Sequence, residues 1–340
     1  MKKNIAIVAG GNQSEVVVSL KSAAGIYSFI NKEKYNLYIV TIIGKEWTVE
    51  CDSKKIAIDK NDFSFVFNNQ KITFDFAYIT IHGMPGEDGK LQGYFDMLEI
   101  PYSCCGVLAA ALTFNKFFCN NYLKSFGINV AKSILLRKGE SISAKEVVEK
   151  LGLPCFIKPN AGGSSFGVTK VKNAEQVLPA IELAFTEGDE VIMESFLSGT
   201  EVTCGIYKAK GRKTVLPVTE VVSENEFFDF DAKYNGQVKE ITPARLSEEL
   251  TKKIQQQTSS IYDIIEAKGI IRVDYIIAKD ETIYLLEVNT NPGMTATSFI
   301  PQQVSAAGMS MEEVMDEIIS LPPTPSTRGG VAKPEGSSDN

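Results

Sequence analysis

Strand-like and helix-like stretches alternate along most of the chain, and that alternation constrains the fold more than any single motif. Residues 4–9 are a short apolar run of β type, Gly10-Gly11 ends it, and a helical pattern fills residues 15–30. Residues 35–43 and 74–81 are further β-rich runs. Short apolar strands separated by a helix-length pattern predict an α/β chain, with an open, mostly parallel, Rossmann-like sheet in an N-terminal unit of residues 1–105. Ligands of such sheets gather beyond the carboxyl ends of the strands, where Gly10-Gly11 and His82-Gly83 both fall.

Helix punctuation organises the middle of the chain. Ser143 with Glu146 has the spacing of a capping box, and Gly152 with Pro154 closes that helix. Asn173 with Gln176 and Ser310 with Glu313 repeat the pattern. One helix is expected from about Val107 to a stop at Gly127, its apolar stripe packed and Lys116 on or near its exposed side. Residues 106–194 then form a central unit and 195–321 a C-terminal one, where β runs at 271–277 and 283–289 give an α+β character. Residues 322–340, rich in Pro, Gly and Ser, are expected to be a disordered tail.

Composition removes several classes of function. Thirty-five basic against forty-two acidic residues leave −7, which argues against binding nucleic acid by bulk charge. No apolar run approaches the roughly 18 residues that a membrane helix needs, so no membrane partner is expected. Lys2-Lys3 before residues 5–9 resembles a secretory leader only as far as Gly10-Gly11 and Glu15; that reading is rejected and a cytoplasmic location expected. Cys51, Cys104, Cys105, Cys119, Cys155 and Cys204 contain no C-x-x-C pair and read as reduced packing residues. His82 is the sole histidine, which excludes multi-histidine metal sites and any nucleophile–histidine pair without it.

Arg272-Val-Asp274 and Glu287-Val-Asn289 sit on two β runs around Lys279-Asp280-Glu281-Thr282. A hairpin turning at Asp280-Glu281 sets Asp274 opposite Glu287 and Arg272 opposite Asn289, all four on one face. Carboxylates about 5 Å apart would repel by roughly 3 kcal/mol at an effective dielectric of 20. Arg272 compensates in part; a divalent cation with hard oxygen ligands, Mg²⁺ above all, would do so better. The plain alternative is a solvated strand face with ordinary ion pairs. The polar turn Thr290-Asn291-Pro292-Gly293 that follows favours a site.

Lys158 ends another β run and precedes the loop Asn160-Ala-Gly162-Gly163-Ser164-Ser165-Phe166-Gly167. Small residues between two strands let backbone N–H groups converge on an anion, although a flexible hairpin connection has the same composition. The loop is neither a P-loop nor a G-x-G-x-x-G turn. Glu194-Ser-Phe196-Leu197 follows a third strand, an arrangement suited to a hinge lining an adenine pocket with Glu201 on the ribose hydroxyls.

Taken together, these segments resemble the D-alanine–D-alanine ligases of the ATP-grasp superfamily over residues 1–321. The resemblance is carried by His82-Gly-Met-Pro-Gly86-Glu87-Asp88-Gly89-Lys-Leu-Gln92-Gly93, by Gly10-Gly11 with Ser14-Glu15, by Lys158-Pro with Gly163-Ser164-Ser165 and Gly167, and by Glu287-Val-Asn289-Thr-Asn-Pro-Gly293. It implies an ATP-grasp fold and ATP as co-substrate. One D-alanine carboxylate is phosphorylated, and the amine of a second D-alanine attacks the acyl phosphate. It also implies two Mg²⁺ ions on Asp274, Glu287 and Asn289, with Mn²⁺ able to substitute, and a homodimer.

The same resemblance assigns Lys116 and Lys158 to phosphate, and Glu194, Phe196, Leu197, Glu201, Phe227 and Lys233 to the nucleotide. Glu15 would take the first D-alanine's ammonium in a triad with Ser164 and Tyr234, with His82 nearby. Arg272 and the Gly293 amide would steady the oxyanion, and Ser298 with the Phe299 amide would hold the second substrate's carboxylate. Residues 227–236 resemble the family's closing loop. Tyr234, in its Ala-Lys-Tyr context, goes with D-alanine rather than D-lactate as acceptor. Met84-Pro85, Thr297 and Phe299 depart from the usual pattern; the last two border the second-substrate site. Open alternatives are a D-alanine–D-lactate or D-alanine–D-serine ligase, or a nucleotide-binding protein without turnover.

Overall fold

The computed structural model of the protein describes residues 2–11, 15–163, 166–223 and 238–320. Lys3–Gly10 lies inside the first sheet because both its faces are apolar and covered. It runs parallel to Tyr35–Ile43 on one side and to Phe76–Ile79 on the other, with the helix Val16–Phe29 as the crossover to Tyr35–Ile43. This parallel centre is as expected. The edge is not: Glu46–Cys51 and Lys54–Ala57 continue the sheet antiparallel. Their turns use Gly44, Asp52 and Ser53 at positive φ, a hairpin signal that the sequence reading passed over. At the strand's carboxyl end Gly10 has φ +114°, and a Cβ there would lie 2.1 Å from the Ile42 carbonyl oxygen.

A second sheet, all antiparallel, has the order Thr169–Val171, Cys155–Pro159, Glu190–Ser195, Ser133–Arg137. The helices Ala144–Leu151 and Val177–Ala184 cover it, setting Val147, Leu151, Val177 and Ile181 against Ile157, Val191 and Met193. Both partners of the capping box at Ser143 and Glu146 are in place.

The third sheet orders Val238–Ile241, Thr219–Ser223, Gly199–Ala209, Ile270–Ala278, Ile283–Asn289 and Asn129–Val130, with Arg212–Val215 pairing Gly199–Ala209 off this path. Asn129–Val130, from the chain's middle, joins this sheet in parallel. The helix Glu248–Ile264 buries Leu250, Ile254, Ile261 and Tyr262, at helical spacing, against Val202, Cys204, Ile206 and Val273. All six cysteines are free thiols, as expected, and burial raises the pKa of each.

The single helix expected from Val107 to Gly127 is two. Val107–Phe114 stops at Asn115, whose backbone is extended, and Lys116–Lys124 starts afresh. Asn115 is the reason: its side-chain oxygen caps the new helix by accepting from the Phe118 N–H, a role for which Asn is among the best residues. The break also overturns the placement of Lys116. Its side chain is 13% exposed and points inward, between the second and third sheets.

Candidate active site

The site is built on the hairpin Ile270–Ala278/Ile283–Asn289. Asp274 pairs with Glu287 and Arg272 with Asn289, as the spacing predicts. Nearer the turn the pairing differs: Tyr275 meets Leu285 and Ile277 meets Ile283. A β-bulge that leaves Leu286 as the extra residue takes up the difference. Without it, Glu287 would face Val273 and its side chain would turn to the opposite side of the sheet.

The two acids are compensated by named groups. Arg272 forks onto Asp274 through Nε and Nη2, at 2.9 and 2.8 Å. Thr203 Oγ1 donates to the same carboxylate at 2.6 Å. Asn289 Nδ2 donates to Asp274 at 2.9 Å and to Glu287 at 3.3 Å. Lys116 Nζ is 3.7 Å from Glu287 and donates to the Gly162 carbonyl at 2.6 Å. Burial alone would lower the Arg272 pKa, but Asp274 outweighs it and holds the guanidinium above its ordinary range. The ring of Phe299 lies 5.2 Å from the guanidinium carbon.

Two carboxylates and an amide make a hard oxygen set that fits Mg²⁺ once the Asn289 amide turns its oxygen inward. No three His, Cys, Asp or Glu side chains cluster among the described residues. A cation here would therefore complete its shell with water and substrate phosphate.

Two cavities meet at this wall. The first, about 510 Å³, is lined by Lys158, Glu194, Phe196, Leu197, Glu201 and Asp274, among others. Lys158 Nζ is 2.6 Å from Glu194, whose other oxygen accepts from Asn120 Nδ2 at 3.1 Å. Burial would lower the Lys158 pKa, and Glu194 reverses this, holding the ammonium charged. Phe196 has Phe156 6.1 Å away and the Lys170 ammonium 4.3 Å over its face.

The second cavity, about 440 Å³, is lined by Glu15, His82, Asn289, Gly293, Ser298 and Phe299, among others. Glu15 starts the first helix beside Gly163, where a Cβ would come 2.8 Å from its carboxylate, so the small-residue loop and the N-terminal unit touch here. Ser22 Oγ is 3.2 Å from His82 Nε2. Burial holds His82 below the ordinary imidazole value, with Glu15 opposing the shift and Arg272 adding to it. Ser298 Oγ accepts from the Thr295 N–H at 3.1 Å, and Ser298 itself stands at the N-cap position of the helix Phe299–Ala306 without a side-chain capping bond. Six of the described residues line both cavities: Lys116, Gly162, Gly163, Arg272, Glu287 and Phe299.

Ser164, Phe227, Lys233 and Tyr234 lie outside the described residues, as does the loop 227–236. Sequence reasoning missed four contributors. Asn160 is fully buried; its carbonyl and its side-chain oxygen take the N–H groups of Lys116 and Phe117, and its amide binds Glu190. Asn120 holds Glu194. Glu87 lines the second cavity, accepts from the Gly83 N–H at 2.8 Å, and is pushed up to about 8 by burial and by Glu15. Glu240 reaches the same cavity from the edge strand. For Glu87 and Asn160 a signal existed, since one stands inside the histidine motif and the other heads the small-residue loop; Asn120 and Glu240 carry none.

A family model described as D-ala D-ala ligase C-terminus matches residues 122–320, and its N-terminal counterpart matches residues 4–105. The chain belongs to the D-alanine–D-alanine ligase family. The family's D-alanine–D-alanine ligase from Bacteroides fragilis is 67% identical over 320 residues, covering 94% of this chain and 99% of the relative. That from Parabacteroides distasonis is 66% identical, covering 94% and 97%. Among solved structures, the VanG D-Ala:D-Ser ligase from Enterococcus faecalis superposes with a TM-score of 0.83 at 32% identity, covering 94% of this chain and 99% of that one. A D-alanine–D-alanine ligase from Bacillus anthracis complexed with ATP gives 0.73 at 29% identity, covering 93% and 96%. The fold is that of the ATP-grasp ligases of this family.

Proposed function

We infer that this chain is an ATP-dependent ligase that joins two D-alanine molecules into the dipeptide used for peptidoglycan precursors. The observation that carries the reading is the shared wall: two cavities, of about 510 and 440 Å³, meet at Lys116, Arg272 and Glu287. A phosphoryl group can cross that wall from one ligand to the other without release into water.

Phosphoryl transfer asks for neutralised charge and in-line placement more than for covalent help. Lys158 and Lys116 receive phosphate oxygens, and Glu194, Phe196, Leu197 and Glu201 form the nucleotide's seat. Mg²⁺ held by Asp274, Glu287 and Asn289 would neutralise the transferring phosphate. Glu15 takes the donor's ammonium, which presents its carboxylate to the wall, while His82 packs beside it. Arg272 and the Gly293 amide stabilise the oxyanion formed when the acceptor amine adds. Ser298 and the Phe299 amide hold the acceptor's carboxylate.

Residues 1–105, 106–194 and 195–321 act as three units that close on the ligands, in a homodimer. Among the described residues no helix is long and apolar enough to cross a membrane; free thiols and the use of ATP favour the cytoplasm.

The test is ADP release by the purified chain with ATP and Mg²⁺. It should require D-alanine, and mass spectrometry should find D-alanyl-D-alanine. Release indifferent to D-alanine would reject the ligase, and a D-lactate or D-serine adduct preferred from mixed acceptors would reassign it. Glu287→Gln should lower turnover by about 100-fold and reduce the thermal stabilisation given by Mg²⁺–ATP. Unchanged values would remove Glu287 from the metal site.

A further inference from the structure

The second cavity contains a carboxylate to which the reading above gives no task. Glu240 sits on Val238–Ile241, paired across from Val221, and its half-buried side chain lines the cavity. Gln302 Nε2 donates to this carboxylate and also to the Thr297 carbonyl at 2.8 Å. The acid is thus tied to the start of the helix Phe299–Ala306, where Ser298 and the Phe299 N–H stand. A D-alanine whose carboxylate lies there carries its ammonium one carbon away. That ammonium needs a hydrogen-bond acceptor nearby and must lose a proton before it can attack.

Among the described residues, four acids line this cavity: Glu15, Glu87, Glu240 and Glu287. Glu15 belongs to the donor's ammonium and Glu287 to the metal wall. Glu87 is half-buried and bound to the Gly83 N–H, and burial together with Glu15 pushes it up to about 8. Elimination leaves Glu240. Burial raises its pKa, and the hydrogen bond from Gln302 and the charge of Arg272 oppose that only in part. Arg272 itself has its Nε and Nη2 engaged by Asp274.

We propose that Glu240 receives the ammonium of the second D-alanine and takes the proton that this nitrogen gives up before it attacks. The proposal rests on the ligase reading. One N–H proton passes to the Glu240 carboxylate, and the freed lone pair forms the C–N bond at the acyl carbon. The C–O bond to phosphate breaks with its electron pair on the departing oxygen. A second N–H proton goes to that phosphate, which leaves as hydrogen phosphate, and Glu240 returns its proton to water.

The experiment compares two acceptors on the full chain: D-alanine, and hydroxylamine, which is uncharged near neutrality and traps the acyl phosphate without prior deprotonation. Glu240→Gln should lower kcat/KM for the acceptor D-alanine by about 100-fold. It should leave hydroxamate formation within about twofold and the KM for ATP unchanged, and Glu240→Asp should recover part of the loss. Dipeptide synthesis within about twofold of the native rate, or an equal loss with both acceptors, would overturn the assignment. Should Glu240→Gln fail to fold, Gln302→Ala leaves the carboxyl present but unanchored. It must raise the KM for the acceptor severalfold without raising that for ATP, and the absence of that split is equally fatal. A native chain that releases no ADP in response to D-alanine would strike the ligase reading instead.

Discussion

Replacing Lys158 by Met separates the electrostatic role of this lysine from its bulk. The stem keeps its volume, but Glu194, 8% exposed at its side chain, loses the ammonium 2.6 Å away and keeps only Asn120. A lone buried carboxylate escapes by taking a proton. From an ordinary value near 4.3, holding that proton at pH 7 costs about 2.7 units at 1.36 kcal/mol each, or about 3.7 kcal/mol, against about 1 kcal/mol at pH 5. This caps the electrostatic penalty within the range of roughly 3–5 kcal/mol for breaking a buried pair. The sign follows from linkage. In the variant the folded state binds the proton more tightly than the unfolded one, so the penalty is absent at low pH and grows as pH rises. Urea unfolding followed by circular dichroism at pH 5 and 7 should show the variant losing far more stability at pH 7. Lys158→Met with Glu194→Gln should restore most of it, because a glutamine oxygen still accepts from Asn120, while ATP turnover stays lost. Equal losses at both pH values, or a double variant no more stable than the single one, would refute the reasoning.

Deleting Leu286 removes the extra residue, so Leu285 still meets Tyr275 and Glu287 still meets Asp274 in an unbroken ladder; the variant should fold and keep turnover within about tenfold. Leu286→Ala, which keeps the residue count and the bulge, should likewise retain turnover within about tenfold; a folded deletion variant that no longer ligates would sink the register argument. Glu87→Gln should gain stability relative to the native chain as pH rises from about 4.5 toward about 8, since the native carboxyl is increasingly penalised over that window. Thermal midpoints at pH 5 and 8 check it, and a gain no larger at pH 8 would count against it.

Much of the fold is legible because it rests on local periodicity. Residues 35–43, the capping boxes at Ser143 and Ser310 and the facing of Asp274 and Glu287 all follow from spacings of two or three. What stayed hidden depends on non-local partners. The helix break at Asn115 looks like a tolerable polar residue until Asn160 arrives from forty-five positions away to take the Lys116 N–H. The bulge at Leu286 is invisible because turn and acids each satisfy alternation, only in registers one residue apart. Glu240 carries no motif; it becomes a candidate only when Gln302 is seen to moor it beside Ser298. The identity of the site residues was readable mainly through the family resemblance, since hard oxygen ligands and small-residue loops occur widely on surfaces.

The start of the helix Lys116–Lys124 has a last implication. Helix beginnings commonly receive anions through unpaired backbone N–H groups. Here the first three are taken: those of Lys116 and Phe117 by Asn160, and that of Phe118 by Asn115. Negative charge arriving at this spot is therefore met by the ammonium of Lys116 alone, on a stem with four rotatable carbons. A rigid amide cradle would favour one resting place for the phosphoryl group. A cation bordering both chambers, on a stem long enough to follow, can keep its charge answered through the passage from nucleotide to amino acid.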